Sequence, residues 1–354
     1  MSGSLYEPPM WPFTPPNLTA VADQTPLRSF AGVSPSRYRH AMDASAHKVL
    51  SQTGGVDMLI SSISQNSHES ARRHENLTTN LRVGERQLPG LHSIFIDCCT
   101  RLAVPSDIEL FIGKAFNAWT SGVDLPYVTI GDRLLGSLTI PQLRFVIGHE
   151  LGHVVMQHQT YMSVATALAA EGANLTLAMK IPVLGKVLTT ALQLALLKWS
   201  RVAEFSADRA GLLACQDFHA AASALIMLKE YAPWLTAQLS VEGVIDQASH
   251  LPPTTDTWLE AIMRMQSEGH GTHPWMVMRV AELKRWYDSA DYQQLLEDAP
   301  LPGGVRVGLV NAIASDSVCA VCQKLVPALN RFCSACGAPV SRSRLVTSPA
   351  GGSQ

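Results

Sequence analysis

Hydrophobic positions recur with a helical period along most of the chain, and the pattern changes before its middle. Over 37–103 the spacing predicts helices, with breaks at 54–55 and 84–89, where turn-forming residues interrupt the period. Short runs rich in β-favouring residues follow at 107–112, 127–130 and, more weakly, 117–122. The order of these patterns predicts a helical protein with one small sheet.

A long amphipathic helix comes after the strand candidates. Thr139 suits its N-cap and Pro141 its first turn, and apolar positions keep the helical period to about Gln159. Further helices are predicted at 162–179, 182–213, 217–230, 256–267 and 274–288. The predicted fold class is therefore α+β, with helices in the majority.

The two ends of the chain differ from this pattern. Residues 1–36 are rich in proline and form an N-terminal arm, which we expect to pack on the surface; an inhibitory position over a functional site is the alternative. The main domain then takes 37–301, a linker takes 302–317 and a cysteine module takes 318–340. The tail, 341–354, has the composition of a disordered segment.

Composition narrows the classes of partner and compartment. Only 16% of the residues are charged and the formal net charge is -2, so no basic surface favours nucleic acid as a partner. Residues 1–30 lack a basic stretch followed by an apolar one, which disfavours secretion and predicts a cytoplasmic protein. Three of the cysteines, Cys98, Cys99 and Cys215, are expected to be buried reduced thiols.

The candidate chemistry lies within the long helix, in His149-Glu150-Leu151-Gly152-His153. Positions i and i+4 lie on one helix face, so both imidazoles can bind the same zinc ion. The carboxylate of Glu150 then lies beside the open position of the metal. There it can take a proton from zinc-bound water and pass it to the leaving amine. The segment predicts a zinc hydrolase that cleaves peptide bonds.

The residues after His153 exclude one class of zinc peptidase. Met156 and Gln159 stand where the metzincin pattern requires glycine and histidine. His158 is rotated off the predicted ligand face, and we expect it to be a solvated polar residue.

The other arrangement, found in gluzincins, takes its third ligand from another helix, and Glu171 and Glu204 are both candidates for it. Asp208 lies one helical turn after Glu204, where its carboxylate can accept a hydrogen bond from the second nitrogen of a ligating histidine. Leu175 holds the same place after Glu171. The comparison favours Glu204.

The chain resembles family M48 of the zinc metallopeptidases, which includes the CAAX prenyl peptidases and HtpX. The resemblance covers about 83–287 and implies a mostly helical gluzincin domain with a small sheet. Four segments carry it: Ile130-Gly-Asp-Arg-Leu-Leu135, Pro141-Gln-Leu-Arg-Phe-Val-Ile-Gly-His-Glu-Leu-Gly-His153, Glu204-Phe-Ser-Ala-Asp-Arg-Ala-Gly211 and Thr272-His-Pro-Trp-Met-Val-Met-Arg279.

The resemblance also implies roles for individual residues: ligands His149, His153 and Glu204, base Glu150, and Asp208 behind the ligands. His273 is implied as a donor to the negatively charged oxygen of the tetrahedral transition state, where a positioned imidazole N–H is stabilising. Arg279 either pairs with a carboxylate of the site or is a surface charge. Asn117 and Ala118 resemble the edge strand to which an extended substrate binds by β-augmentation.

The chain departs from the family pattern at two places. Gln142 stands where an acidic residue is usual, and the segment between the ligands differs from the membrane-spanning hairpin that is often found there. Residues 163–199 are apolar but interrupted by charges, and their cleanest run is about half of the roughly 20 residues that a span requires. A soluble helical hairpin over the cleft is favoured, with contact to a membrane surface as the alternative.

The cysteine module contains Cys319, Cys322, Cys333 and Cys336 in the spacing C-x2-C-x10-C-x2-C. This spacing predicts one closed four-thiolate zinc site, which is structural because it leaves no open position. The module is similar to short zinc ribbons that dock on a partner, here of unknown identity. One catalytic and one structural zinc ion per chain are expected.

The predicted function is a metalloendopeptidase that hydrolyses proteins or peptides, with a role in protein quality control. The alternative is a zinc-stabilised, catalytically silent scaffold that recruits partners through the ribbon. Glu150, Glu204 and His273 together favour the enzyme, because a silent scaffold needs no general base.

Overall fold

The computed structural model describes residues 27–52, 68–105, 107–123, 125–162, 186–236, 238–252, 255, 276–299, 317–318 and 325–326. Its helices are α1 Ala41–Gln52, α2 His68–Thr79, α3 Pro89–Arg101, α4 Asp132–Ser137, α5 Ile140–Val155, α6 Lys186–Cys215, α7 Phe218–Met227, α8 Pro233–Thr236, α9 Val241–Ser249, α10 Met276–Tyr287 and α11 Ala290–Asp298. Its strands are β1 Leu81–Arg82, β2 Glu109–Gly113, β3 Ala118–Ser121, β4 Tyr127–Gly131, β5 Ser317–Val318 and β6 Leu325–Val326. The predicted class, α+β and mostly helical, is confirmed.

Strands β1 to β4 form one sheet in the order β1-β2-β4-β3. Strands β2 and β4 run parallel, whereas β1 and β3 are antiparallel to their neighbours. All five residues of β4 are buried, so both faces of this strand are covered. In the order of the described strands, β3 lies at one edge of this sheet, next to β4.

Helix α5 packs along α6 at a separation that only small residues allow. A Cβ added to Gly148 would lie 2.4 Å from the Cβ of Ala214, and one added to Gly152 would lie 2.6 Å from the Cβ of Ala210. These distances are well below the roughly 3.5–4.0 Å of normal carbon contacts. The glycines therefore set the spacing between the two central helices.

The segment before α1 packs on the helical core. Phe30 is buried, and its amide donates to the carbonyl oxygen of Arg101 at 2.8 Å. The amide of Arg28 donates to the side chain of Gln216 at 2.9 Å. Helix α1 then packs against α6.

The long helix ends earlier than the periodicity predicted, at Val155 instead of about Gln159. Gln157 has a left-handed backbone with φ 57°, and helical geometry resumes over 158–162. The interruption turns His158 to a new direction, because a left-handed residue breaks the helical register.

Several short elements were missed by the periodicity: β1, β5, β6, α4, α8, α9 and α11. Ser240 and Ser289 cap α9 and α11, and their hydroxyls accept from the amides of Gly243 and Tyr292. Nine-residue helices such as these offer too few turns for an apolar period to stand out. The helices predicted at 162–179 and 256–267 lie outside the described residues.

Cys98, Cys99 and Cys215 are free and buried, as predicted. Burial raises the pKa of Cys99 and of Cys215 to about 12, so these thiols stay protonated at neutral pH.

Among the helices of the described part, none combines the length and the hydropathy that crossing a membrane requires.

The chain forms two compact units, and 304–354 belong to the second of them. In the C-terminal unit, β5 and β6 form an antiparallel pair in which Ser317 lies opposite Val326 and Val318 opposite Leu325. The residues that connect this pair, 319–324, lie outside the described residues.

Candidate active site

The N-terminus of α5 is fixed by its own sequence. The backbone amide of Thr139 donates to the side-chain oxygen of Gln142 at 2.7 Å, and Thr139 is the N-cap of α5, as predicted. The amide group of Gln142 donates in turn to the hydroxyl of Ser223 on α7 at 2.7 Å. The glutamine thus closes the cap and joins α5 to α7.

Three buried side chains converge where α5 crosses α6: His149, His153 and Glu204. The two Nε2 atoms are 3.2 Å apart, and they lie 3.5 and 3.6 Å from the carboxylate oxygens of Glu204. Ligands at about 2.0–2.1 Å from a tetrahedral zinc ion are separated by about 3.3 Å. Identity, burial and spacing of these donors therefore fit a zinc ion.

Asp208 and Arg279 lie behind His149. Nδ1 of His149 is 3.0 Å from Oδ1 of Asp208, and Nε of Arg279 donates to Oδ2 of Asp208 at 2.8 Å. Nη1 of Arg279 also lies 3.2 Å from Glu204. Two placements were predicted for Arg279, as a partner of a site carboxylate or as a surface charge. The structure has the first, because Arg279 is buried and paired with Asp208 and Glu204.

These contacts determine the ionisation of the site. Burial alone would lower the pKa of His149, but the hydrogen bond to Asp208 and the charge of Glu204 raise it. Burial opposes ionisation of Asp208, whereas Arg279 lowers its pKa. Burial opposes the charge of Arg279, but Asp208, Glu204 and Glu150 raise its pKa, so its guanidinium stays positively charged beside the site.

The side chain of Glu150 is hydrogen-bonded to a residue of the sheet. The hydroxyl of Thr120 on β3 lies 2.7 Å from Oε2 of Glu150 and 3.0 Å from its backbone oxygen. A carboxylate oxygen and a carbonyl oxygen are both acceptors, so the hydroxyl is the donor. Helix α5 and the edge strand are thereby joined at the residue predicted to be the base.

Asn117 and Ala118 lie at the start of this edge. The carbonyl oxygen of Asn117 accepts from the amide of Gly131 at 2.8 Å, and Ala118 is paired with Ile130 on β4. One side of β3 is therefore paired, and within the described sheet its other side has no neighbouring strand.

The expectation that His158 is solvated is wrong. Its side chain is fully buried, with Nδ1 2.9 Å from Nδ1 of His153 and Nε2 3.1 Å from Asp43. The expectation assumed an unbroken helix, and the left-handed turn at Gln157 redirects the ring towards His153.

Three residues near the site were not found from the sequence as functional candidates: Thr120, His158 and Asp43. The histidine five positions after His153 was a signal for one of them. No sequence pattern pointed to Thr120 or Asp43, because each contacts a residue that is far from it in the sequence. His273, Glu171, Cys319, Cys322, Cys333 and Cys336 lie outside the described residues.

Comparison with known proteins agrees with this geometry. Residues 85–287, more than half of the chain, match Peptidase family M48. The plastoglobule-localized metallopeptidase 48 of Arabidopsis thaliana, a chloroplastic protein, is 27% identical over 273 residues, which cover 76% of this chain and 78% of that protein. No solved structure matches the chain significantly. The chain therefore belongs to Peptidase family M48, whose members use zinc, and is a metallopeptidase.

Proposed function

We propose that this protein is a zinc metalloendopeptidase in which His149, His153 and Glu204 hold the metal and Glu150 is the general base. The observation that carries the proposal is the buried cluster of two imidazoles and one carboxylate, with the Glu150 carboxyl on the same helix and next to the first histidine. Protein or peptide substrates follow from membership of a peptidase family.

The residues of the chain divide the work. When bound, zinc supplies a Lewis acid that polarises the scissile carbonyl group and activates water. Glu150 takes a proton from the attacking water and delivers it to the leaving nitrogen. Asp208 accepts from Nδ1 of His149, which leaves Nε2 as the ligand atom. Arg279 balances the charges of Asp208 and Glu204.

The substrate is proposed to bind to β3. The side of β3 opposite β4 can add an extended peptide as a further strand, and backbone hydrogen bonds along the strand that begins at Asn117 and Ala118 then position the scissile bond. Thr120 on the same strand holds Glu150, so the strand that aligns the peptide also aligns the base. His273 is proposed to stabilise the transition-state oxygen.

The second zinc ion, held by Cys319, Cys322, Cys333 and Cys336, is a separate part of the proposal. The β5–β6 pair supports it, because its two strands lie on either side of the first cysteine pair in the sequence, as in a zinc knuckle. The domain boundaries are also proposed, from composition: arm 1–36, catalytic domain 37–301, linker 302–317, ribbon 318–340 and tail 341–354.

The cellular role is also proposed. Cytoplasmic location, contact of 163–199 with a membrane surface and a part in protein quality control are predictions from the sequence. The relative from Arabidopsis is named for the plastoglobule, so a location in an organelle is the other outcome for a localisation experiment. The scaffold alternative is not favoured, since the family is one of peptidases.

The proposal is tested by metal analysis of the purified chain together with cleavage of an unfolded protein. We expect bound zinc, cleavage that a chelator abolishes, and recovery when zinc is restored. Cleavage that persists after complete metal removal would contradict it.

A further inference from the structure

Asp43 is a buried carboxylate on α1 that collects donors from several elements. Trp199 Nε1 donates to Oδ1 at 3.1 Å, and the Ser206 hydroxyl donates to Oδ2 at 2.7 Å. Arg39 Nε lies 3.3 Å from Oδ2, and His158 Nε2 lies 3.1 Å from the same atom. Burial opposes ionisation of Asp43, but the hydrogen bonds from His158 and Ser206 lower its pKa. Asp43 is therefore an anionic acceptor at neutral pH.

The direction of each proton follows from this acceptor. His158 must carry its proton on Nε2 to donate to Asp43, which leaves Nδ1 as an acceptor. Nδ1 of His153, 2.9 Å away, is then the donor, and Nε2 of His153 is left with its lone pair. That Nε2 is the atom that faces His149 and Glu204. The chain of contacts thus selects the tautomer of His153 that can bind a metal ion.

The contact comes from outside the segment that matches the peptidase family. Asp43 lies before residue 85, where that match begins. The guanidinium of Arg39, next to α1, donates to the carbonyl oxygen of Met156 at 2.7 Å. Met156 precedes the left-handed Gln157 that brings His158 under His153. Arg39 therefore contacts the turn that positions His158, and Asp43 carries the oxygen to which His158 donates.

We propose that Asp43 is a positioning residue of the metal centre, which fixes His153 through His158 with Nε2 of His153 turned towards the metal. The inference rests on the proposed ligand set. Partners of this kind orient a ligating imidazole and raise its basicity, and their loss costs about 10- to 100-fold in metal affinity.

The test measures binding of Co²⁺ by the full-length, metal-free chain and three variants. Co²⁺ held by nitrogen and oxygen has a different absorption spectrum from Co²⁺ held by thiolates, so the catalytic site is followed separately from the cysteine module. Asp43→Asn replaces one acceptor oxygen by an amide group at constant size. His158→Phe keeps a ring against Trp199 and removes the acceptor nitrogen.

Trp199→Phe is the matched control, because it removes a donor to Asp43 but leaves the contacts from His153 to His158 and from His158 to Asp43 in place. We expect Asp43→Asn and His158→Phe each to weaken Co²⁺ binding at the nitrogen–oxygen site by about 10- to 100-fold, and Trp199→Phe by less than about threefold. Binding at the cysteines is expected to be unchanged in all variants.

Thermal unfolding of the metal-free chains separates positioning from stability. A purely structural role would lower the unfolding temperature of Asp43→Asn and leave the Co²⁺ affinity of the folded chain unchanged, which would overturn the inference. An equal loss of affinity in Trp199→Phe would overturn it as well. If Asp43→Asn does not fold, His158→Phe decides.

Failure of the ligand set gives a different result. If the wild-type chain binds no Co²⁺ through nitrogen and oxygen, the proposed metal site is wrong and the inference fails with it. If the wild type binds and both Asp43→Asn and His158→Phe bind equally well, the metal site stands and only the role of Asp43 and His158 is wrong.

Discussion

Gly152→Ala tests whether the close approach of α5 and α6 builds the metal site. Gly152 lies between Glu150 and His153, and its added Cβ would lie 2.6 Å from the Cβ of Ala210 and 3.1 Å from the Cα of Ala207. Neither atom can rotate away, because one is bonded directly to the backbone and the other belongs to it. Normal carbon contacts of about 3.5–4.0 Å then require the helices to separate by about 1 Å.

The expected cost follows from two opposing effects. Overpacking in a core costs about 1–3 kcal/mol, and fixed atoms on both sides place this clash at the upper end. Replacing glycine by alanine inside a helix returns about 1 kcal/mol. The net loss of about 2 kcal/mol corresponds to a fall of about 4–8 °C in the unfolding temperature of a domain of this size.

The metal site responds to the same movement. Glu204 is on α6 and both histidines are on α5, so separating the helices lengthens the distances that bring the three together. Metal–ligand bonds tolerate only about 0.2 Å, and we expect zinc affinity to fall by about tenfold or more. The assay is chelator competition on the folded chain, together with thermal unfolding of the metal-free form.

Gly243→Ala is the matched control. It lies within α9, and the nearest atoms to an added Cβ are those of Ser240 at 3.7 and 3.9 Å, which is ordinary contact. We expect unchanged zinc affinity and an equal or higher unfolding temperature. If Gly152→Ala behaves like this control in both measurements, the tight packing of α5 on α6 does not set the geometry of the site.

Three further changes separate other parts of the proposal. Glu204→Ala should lose the catalytic zinc ion and Glu171→Ala should keep it, as measured by metal content; the reverse result would remove Glu204 from the ligand set. Thr120→Val should lower kcat by about 10- to 100-fold, since hydrogen bonds to charged groups contribute about 1.5–3 kcal/mol, and should leave zinc content unchanged, whereas Thr120→Ser keeps the hydroxyl and should stay near wild type. A chain that ends at Gly308 should retain one zinc ion and still cleave an unfolded protein; loss of cleavage would make the cysteine module part of the catalytic fold.

The parts of the site that depend on local spacing were predictable from the sequence. His149 and His153 share a face of α5 because they are four residues apart, and Glu204 and Asp208 share a face of α6 for the same reason. The structure brings both pairs together. Helical periodicity carries this information without knowledge of the fold.

Contacts between distant segments were not predictable in the same way. Asp43 reaches His158 across 115 positions, and Thr120 reaches Glu150 across 30. The left-handed residue at 157 is a glutamine, not the glycine or asparagine that marks such turns, so nothing in the sequence pointed to the break. The error on His158 follows directly, because its direction depends on that one residue.

The most direct measurement is cleavage of an unfolded protein by the wild type and by Glu150→Gln at equal zinc content. The amide cannot accept a proton, so the hydrolytic step should lose at least the roughly 100- to 10,000-fold credited to a general base. Zinc content and unfolding temperature should stay nearly the same, because Glu150 is not among the proposed ligands. Equal cleavage by the two chains would remove Glu150 from the mechanism. No cleavage by either, with zinc bound and several unrelated substrates tried, would contradict the peptidase function itself.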